Sequence, residues 1–182
     1  MRKRKYNGIV VLGNESLFGE HKLGNVLYLV AAPEAGFDLG KRLYGLGYLS
    51  ANWGINQENA AWFDSIKPAI TPPNLVFAIV WNILYFFIAV SLFLAWQAGG
   101  GYHRKLLVYA YGTNLFFNFI WTYIFFEMRN PLLAFADIIL VLASIILIMR
   151  VDEEISKEAF QLMVPYLIWI LFAIIINYFV VV

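Results

Sequence analysis

The stretch LVFAIVWNILYFFIAVSLFLAW, residues 75–96, decides the fold. It contains no charged side chain. At about 1.5 Å rise per residue, its roughly 20 residues cover the ~30 Å hydrocarbon core of a bilayer as one helix. Three further apolar runs of similar length follow at 106–126, 131–149 and 160–182. They are joined by polar connectors: 97–105 with Gly99-Gly100-Gly101, then 127–130, then 150–158. Links this short force neighbouring helices into antiparallel packing. Pro131 falls at a first-turn position, where its missing N–H costs nothing. Pro165 lies inside the last run and predicts a kink, which neighbouring helices accommodate in lipid.

The rest of the chain agrees with that reading. Hydrophobic residues make up 62% of the 182 and charged ones 14%, with a mean hydropathy of +0.69. A soluble domain averages about 45–50% apolar and about 25% charged, so both departures point into the membrane. Residues 1–182 form a single domain by length. A net charge of +1 gives no electrostatic footprint for nucleic acid. The absence of cysteine removes disulfides, thiolate metal sites and iron–sulfur clusters. The expected partner is the lipid bilayer, and the expected location is a membrane crossed several times. Aromatics reach 18%, more than interfacial belts require.

The first 60 residues read differently. Arg2-Lys3-Arg4-Lys5 before Ile9-Val10-Val11-Leu12 mimics a signal peptide, but the apolar run is shorter than the ~7–15 residues needed. The segment 26–51 contains Pro33, Glu34, Asp38, Lys41 and Arg42. At about 2.5–3.5 kcal/mol for each central charge, insertion is unfavourable. The expected fold is therefore all-α: an integral membrane five-helix bundle with four secure transmembrane helices and a degenerate first segment. Residues 1–45 form its atypical amino-terminal part. Arg104, Lys105, Arg150 and Lys157 share one side of the bundle, which the positive-inside rule makes cytoplasmic. The basic amino terminus joins that side only if the chain crosses once more before Leu75.

Candidate chemistry lies within the spans. Asn114, Asn118 and Trp121, at i, i+4 and i+7, share one helix face. A carboxamide facing lipid would be unsatisfied, so this face looks into the bundle. Interhelical hydrogen bonding, worth only ~0.6–2 kcal/mol per pair, accounts for the amides without a ligand. The indole fits that explanation poorly, because close helix packing wants small residues. Trp81 and Tyr85 form an i, i+4 pair near mid-membrane, and Trp169 sits one turn beyond Pro165. An indole N–H at that depth needs a partner. Indoles from several helices could wall a site for a flat apolar molecule, and ordinary aromatic packing is the competing explanation.

Asp137, about two turns into its helix, is a functional-site candidate by default; the alternatives are that it stays protonated, or that it pairs with Arg129 or a polar group near that end, and structural pairing is the favoured reading. His21 and His103 lie outside the secure spans, which argues against axial haem ligation. No nucleotide loop, carboxylate pair or Ser/His/Asp arrangement appears, so conventional enzyme chemistry has no support.

Several motifs together resemble a known family. Trp62-Phe63-Asp64-Ser65-Ile66-Lys67-Pro68, Thr71-Pro72-Pro73-Asn74, Val76-Phe77 and Val80-Trp81-Asn82-Ile83-Leu84-Tyr85 look like the loop and second helix of the TspO/MBR family, the translocator or tryptophan-rich sensory proteins. Asn114-Leu115-Phe116-Phe117-Asn118-Phe119-Ile120-Trp121, Ile124-Phe125-Phe126 and Pro131 resemble its third helix and turn. Pro165-Tyr166-Leu167-Ile168-Trp169, Phe172-Ala173 and Asn177 resemble its fifth. The resemblance covers roughly 46–182.

It implies one pocket, near the face carrying the first long loop, for porphyrin, haem or a similar hydrophobic small molecule. In some members it also implies cholesterol and benzodiazepine-type drugs. By motif match the ligand-binding residues would be Trp62, Phe63, Trp81, Tyr85, Asn114, Asn118, Trp121 and Trp169. No cofactor is required and no metal is implied; a homodimer is compatible. Phe63 stands where the family usually has Tyr, which removes a hydroxyl. No Lys or Arg follows Tyr178, so the weak cholesterol motif fails. Three roles remain: a tetrapyrrole-binding sensor or carrier, light-dependent porphyrin breakdown, and a non-catalytic membrane scaffold.

Overall fold

The computed structural model describes residues 5–6, 9–10, 38, 40–42, 44–45 and 57–182. Near the amino terminus, β1 (Lys5–Tyr6) and β2 (Ile9–Val10) form a two-residue antiparallel pair, with Lys5 opposite Val10 and Tyr6 opposite Ile9. The other described residues are mostly helical. The short α1 (Gln57–Ile66) precedes α2 (Asn74–Ala98), α3 (Gly101–Thr122), α4 (Pro131–Ile155) and α5 (Lys157–Val181). One π-helical turn, Tyr123–Glu127, extends α3.

Among the described residues, α2, α4 and α5 are long and apolar enough to span a bilayer. The third helix is also long, but His103, Arg104, Lys105, Asn114 and Asn118 dilute its apolar character. All four long helices turn large apolar side chains outward, among them Phe86, Phe116, Leu140 and Ile168. In water such a surface would associate; in lipid it is solvated.

The helices outrun the apolar stretches that announce them. The expected connectors at 97–105 and 150–158 shrink to residues 99–100 and Ser156. Arg150, Glu153 and Glu154 are good helix formers, and Arg150 pairs with Glu153 at 3.5 Å, so α4 continues past its apolar part. Hydropathy marks the length within hydrocarbon, whereas caps mark the ends. Ser156 accepts from the Ala159 N–H (3.2 Å) to start α5. Asn130 accepts from the Leu133 N–H (3.0 Å) to start α4, with Pro131 in the first turn as expected.

Packing is extensive for α3 with α4, α4 with α5, and α5 with α2, and sparse between α2 and α3. The order around the bundle is therefore α3, α4, α5, α2, with a seam between its first and last members. Helical backbone at 38, 40–42 and 44–45 packs on α2: a side chain built on Gly40 would lie 3.1 Å from the Ala89 carbonyl oxygen. Glycine permits that close approach. Asp38, Lys41 and Arg42 are exposed, and Tyr44 packs on the core. The remainder of the degenerate segment 26–51, and with it the question of a first crossing, lies outside the described residues, as does His21.

In the half of the bundle near the α4–α5 turn the interior is solid. Leu92, Ala95, Trp96, Leu107, Ile148 and Met163 are fully buried. A polar knot ties the helices there. The Tyr111 hydroxyl donates to Asp152 Oδ2 (2.7 Å). The Ser91 hydroxyl lies 2.7 Å from Tyr111 Oη, 2.8 Å from the Ala159 carbonyl and 3.2 Å from Asp152 Oδ2. Arg104 caps the end of α2 by donating to the Trp96 carbonyl (3.1 Å), its guanidinium 5.3 Å from the Trp96 ring.

Candidate functional site

The opposite half of the bundle holds a cavity of about 110 Å³. Its walls follow from helical periodicity. On α2 the stripe Asn74, Phe77, Trp81, Tyr85 falls at i, i+3, i+7 and i+11 and faces inward. Trp81 and Tyr85 stack with their centroids 5.4 Å apart. From α3 come Asn118, Trp121 and Thr122, and α4 adds Ile138 and Val141. Ile170, Ala173 and Asn177 form the α5 wall at i, i+3 and i+7.

The π turn widens the end of α3 and supplies two more rings. Trp121 stacks on Phe125 at 4.9 Å and 15°, and Phe126 stands edge-on to Trp121 at 6.2 Å. Both phenylalanines line the cavity. A π turn has one extra residue in the ring closed by its hydrogen bond, seen here as Met128 N–H donating to the Tyr123 carbonyl (3.1 Å).

The cavity is covered by α1, which reaches from α2 to the α3–α4 turn. Ala60 and Phe63 face the cavity, and Phe63 meets Phe77, Phe125 and Phe126 edge-to-face. Trp62, about 100° round α1 from Phe63, contacts Phe125 and Phe126 edge-on without lining the cavity. At one end Glu58 pairs with Arg129 (2.5 Å), whose guanidinium lies 5.9 Å from the Trp62 ring. Arg129 has φ 47°, a left-handed conformation that non-glycine residues rarely adopt, and it ends the π turn. At the other end Asp64 binds Lys67 (2.6 Å) and accepts from the Asn74 amide (3.3 Å). The Lys67 ammonium, followed by the Asn74 amide, holds the Asp64 carboxyl below the usual carboxylate range.

Five of the eight residues singled out from sequence, Phe63, Trp81, Tyr85, Asn118 and Trp121, stand in the cavity wall. Asn114 lies one turn deeper and is engaged internally: its amide donates to Ser144 Oγ (2.9 Å), and its Oδ1 accepts from the Tyr166 hydroxyl (3.2 Å). Asn118 in turn donates to Tyr166 Oη and to Asn114 Oδ1. The cross-helix bonding weighed as an alternative thus describes Asn114, while Asn118 belongs to both settings. Trp62 lies behind the cover. Trp169 is one position off the Ile170–Ala173–Asn177 face; its ring contacts Phe77 at 5.3 Å from outside the cavity wall.

Of the alternatives for Asp137, the pairing with Arg129 is not the one found, since Arg129 pairs with Glu58. Asp137 is buried, and its Oδ2 has no hydrogen-bond partner among the described residues. Phe77, Phe125, Phe126 and Asn177 line the cavity without having been singled out as site residues. Phe77 and Asn177 were recoverable from i, i+4 and i, i+7 spacing to Trp81 and Ile170. The two phenylalanines were not, because nothing local in Tyr123–Glu127 announces a π turn.

Comparison with known proteins agrees with this architecture. The TspO/MBR family profile matches residues 43–182. A tryptophan-rich protein TspO of Archaeoglobus fulgidus is 34% identical over 155 residues, covering 85% of this chain and 95% of the relative. That alignment extends into the segment before Leu46. A tryptophan-rich protein TspO of Chlorobaculum tepidum is 36% identical over 124 residues, covering 65% of this chain and 77% of the relative. The human translocator protein is 30% identical over 149 residues, covering 80% and 86%. By profile, by relatives and by its bundle of long apolar helices, this multi-pass integral membrane chain belongs to the TspO/MBR family.

Proposed function

We propose that the protein is a membrane receptor or carrier for flat, largely apolar ligands of the tetrapyrrole type, taken up in the aromatic cavity beneath α1. One observation carries this reading. Trp81, Trp121, Phe77, Phe125 and Phe63, drawn from three helices and the π turn, converge on one cavity. Apolar walls with a few polar atoms are the usual composition of a small-molecule site, and indole faces suit a planar ring.

Size adds a condition. At about 110 Å³ the cavity is smaller than the ~150 Å³ void known to take up benzene. A porphyrin therefore enters only as α1 gives way, or inserts one edge with the rest held outside. The cover suits such movement: both of its ion pairs are exposed and so contribute little.

The test is a titration of the purified protein with protoporphyrin, followed by quenching of tryptophan fluorescence. Quenching should saturate. If each cavity indole contributes about 1–2 kcal/mol, Trp81→Phe and Trp121→Phe each weaken binding roughly 5–30-fold. Trp169→Phe, outside the wall, should change it less than about threefold. Unaltered affinity in both Trp81→Phe and Trp121→Phe would remove the cavity as the binding site.

A further inference from the structure

The polar atoms of the cavity wall point to a more specific ligand chemistry than flatness. Asn177 is 2% exposed, and among the described residues neither its Nδ2 nor its Oδ1 has a hydrogen-bond partner. Trp121 belongs to the same wall, and its buried Nε1 likewise has no partner among the described residues. Buried amides in native proteins are nearly always bonded, because an unpaired one keeps its full desolvation cost. In lipid no surrounding solvent can serve instead.

The contrast with Asn114 and Asn118 is direct. Those two amides share one bundle interior with Asn177, yet they bond Ser144, Tyr166 and each other. A leucine would fill the Asn177 position with similar volume and no unpaired atoms. The amide is thus a liability to the protein alone.

We propose that Asn177 is a specificity-determining residue that reads a donor and an acceptor set side by side on the ligand, as in a lactam or other cis-amide ring. The inference rests on the cavity being the ligand site. A carboxamide offers C=O and N–H along one edge, and a cis-amide offers the complementary N–H and C=O along one edge. The two close a pair of hydrogen bonds in one plane. The Trp121 N–H supplies a further donor to a ligand carbonyl. A cavity of about 110 Å³ has room for one such ring at a time. The ligand class is therefore a flat aromatic skeleton ending in a lactam ring; a wholly apolar disc would leave three wall atoms unpaired. Trp169 Nε1 also has no partner among the described residues, but Trp169 lies outside the wall and takes no part.

The experiment uses the full chain in nanodiscs and three bicyclic probes measured by calorimetry. These are 2-quinolone (adjacent donor and acceptor), N-methyl-2-quinolone (donor blocked) and quinoline (acceptor without added bulk). Wild type should bind 2-quinolone at least about tenfold more tightly than either of the others. In Asn177→Leu the three should bind within about twofold of one another. Equal binding of all three by wild type overturns the inference whatever the variant does, and so does discrimination that survives in Asn177→Leu. The protoporphyrin titration separates the two levels. Porphyrin binding without probe discrimination sinks the role of Asn177 alone, whereas loss of both sinks the cavity as a ligand site.

Discussion

The two halves of this bundle solve the same problem in opposite ways. Both bury polar side chains among apolar helices, where no hydrophobic force draws helix to helix and packing and hydrogen bonds must do so. Near the α4–α5 turn, Ser91, Tyr111, Asp152 and the Ala159 carbonyl close on one another within solid packing. Toward α1, the helices part around a cavity, and Trp121 and Asn177 keep polar atoms unpaired in its wall. The first arrangement holds the fold. The second forgoes stability the chain could have had, which is the pattern expected where a ligand completes the bonding. The halves are not perfectly opposed, since Asp152 Oδ1 also has no partner among the described residues; Asp152 is 0% exposed.

The comparison breaks most readily at Asp152. Asp152→Ala withdraws the acceptor from Tyr111 and leaves its hydroxyl with Ser91 alone. A buried network that loses its charged or polar centre costs about 3 kcal/mol, even where single membrane hydrogen bonds average ~0.6. Denaturant unfolding in detergent should register that loss, with porphyrin affinity of the folded fraction unchanged. A loss under about 1 kcal/mol would mean that the knot does not hold the closed half together.

Removing a buried polar group from the other half should have the opposite sign. Asn177→Leu deletes an amide that has no partner among the described residues and replaces it with an apolar group of similar size. Stability should hold or rise by up to about 1 kcal/mol. The same unfolding assay decides it. A destabilisation as large as that of Asp152→Ala would show Asn177 to be a structural residue and would erase the distinction between the halves.

How much of this was legible in the sequence differs by half as well. The apolar runs, their antiparallel order and the Pro131 start of α4 follow from composition and caps. The inward face of Asn118 and Trp121 follows from i, i+3 spacing, and Trp81 with Tyr85 from i, i+4. The division of labour between Asn114 and Asn118 does not, because it depends on Ser144 and Tyr166 from other helices. The helix ends beyond the apolar runs were hidden because charged residues continue a helix without contributing to hydropathy. Trp169 looked equivalent to Trp81, yet one residue of offset from Ile170 turns it about 100° away from the wall. The cover α1 was visible only as a family motif; its amphipathic ten residues are too few to stand out by periodicity.

The smallest expected effect concerns the cover and its dependence on pH. Asp64 joins α1 to the start of α2 through Lys67 and Asn74, and its folded-state pKa is lowered below the ordinary 3.8. A depressed carboxylate pKa means that the folded arrangement prefers the charged form. Its contribution is fully present above the unfolded pKa and fades as pH falls through the folded one. The cover should therefore be insensitive to pH across the neutral range and loosen only in acid below that 3.8. Acrylamide quenching of tryptophan reports this, because Trp62 sits on α1 against Phe125 and Phe126. Wild type should show a rise in quenching confined to that acid window, and Asp64→Ala should show the looser value throughout with no acid step. Because the pair is exposed, porphyrin affinity near neutral pH should differ by less than about twofold between the two proteins. A step in wild type that persists unchanged in Asp64→Ala would assign the acid response to a group other than Asp64.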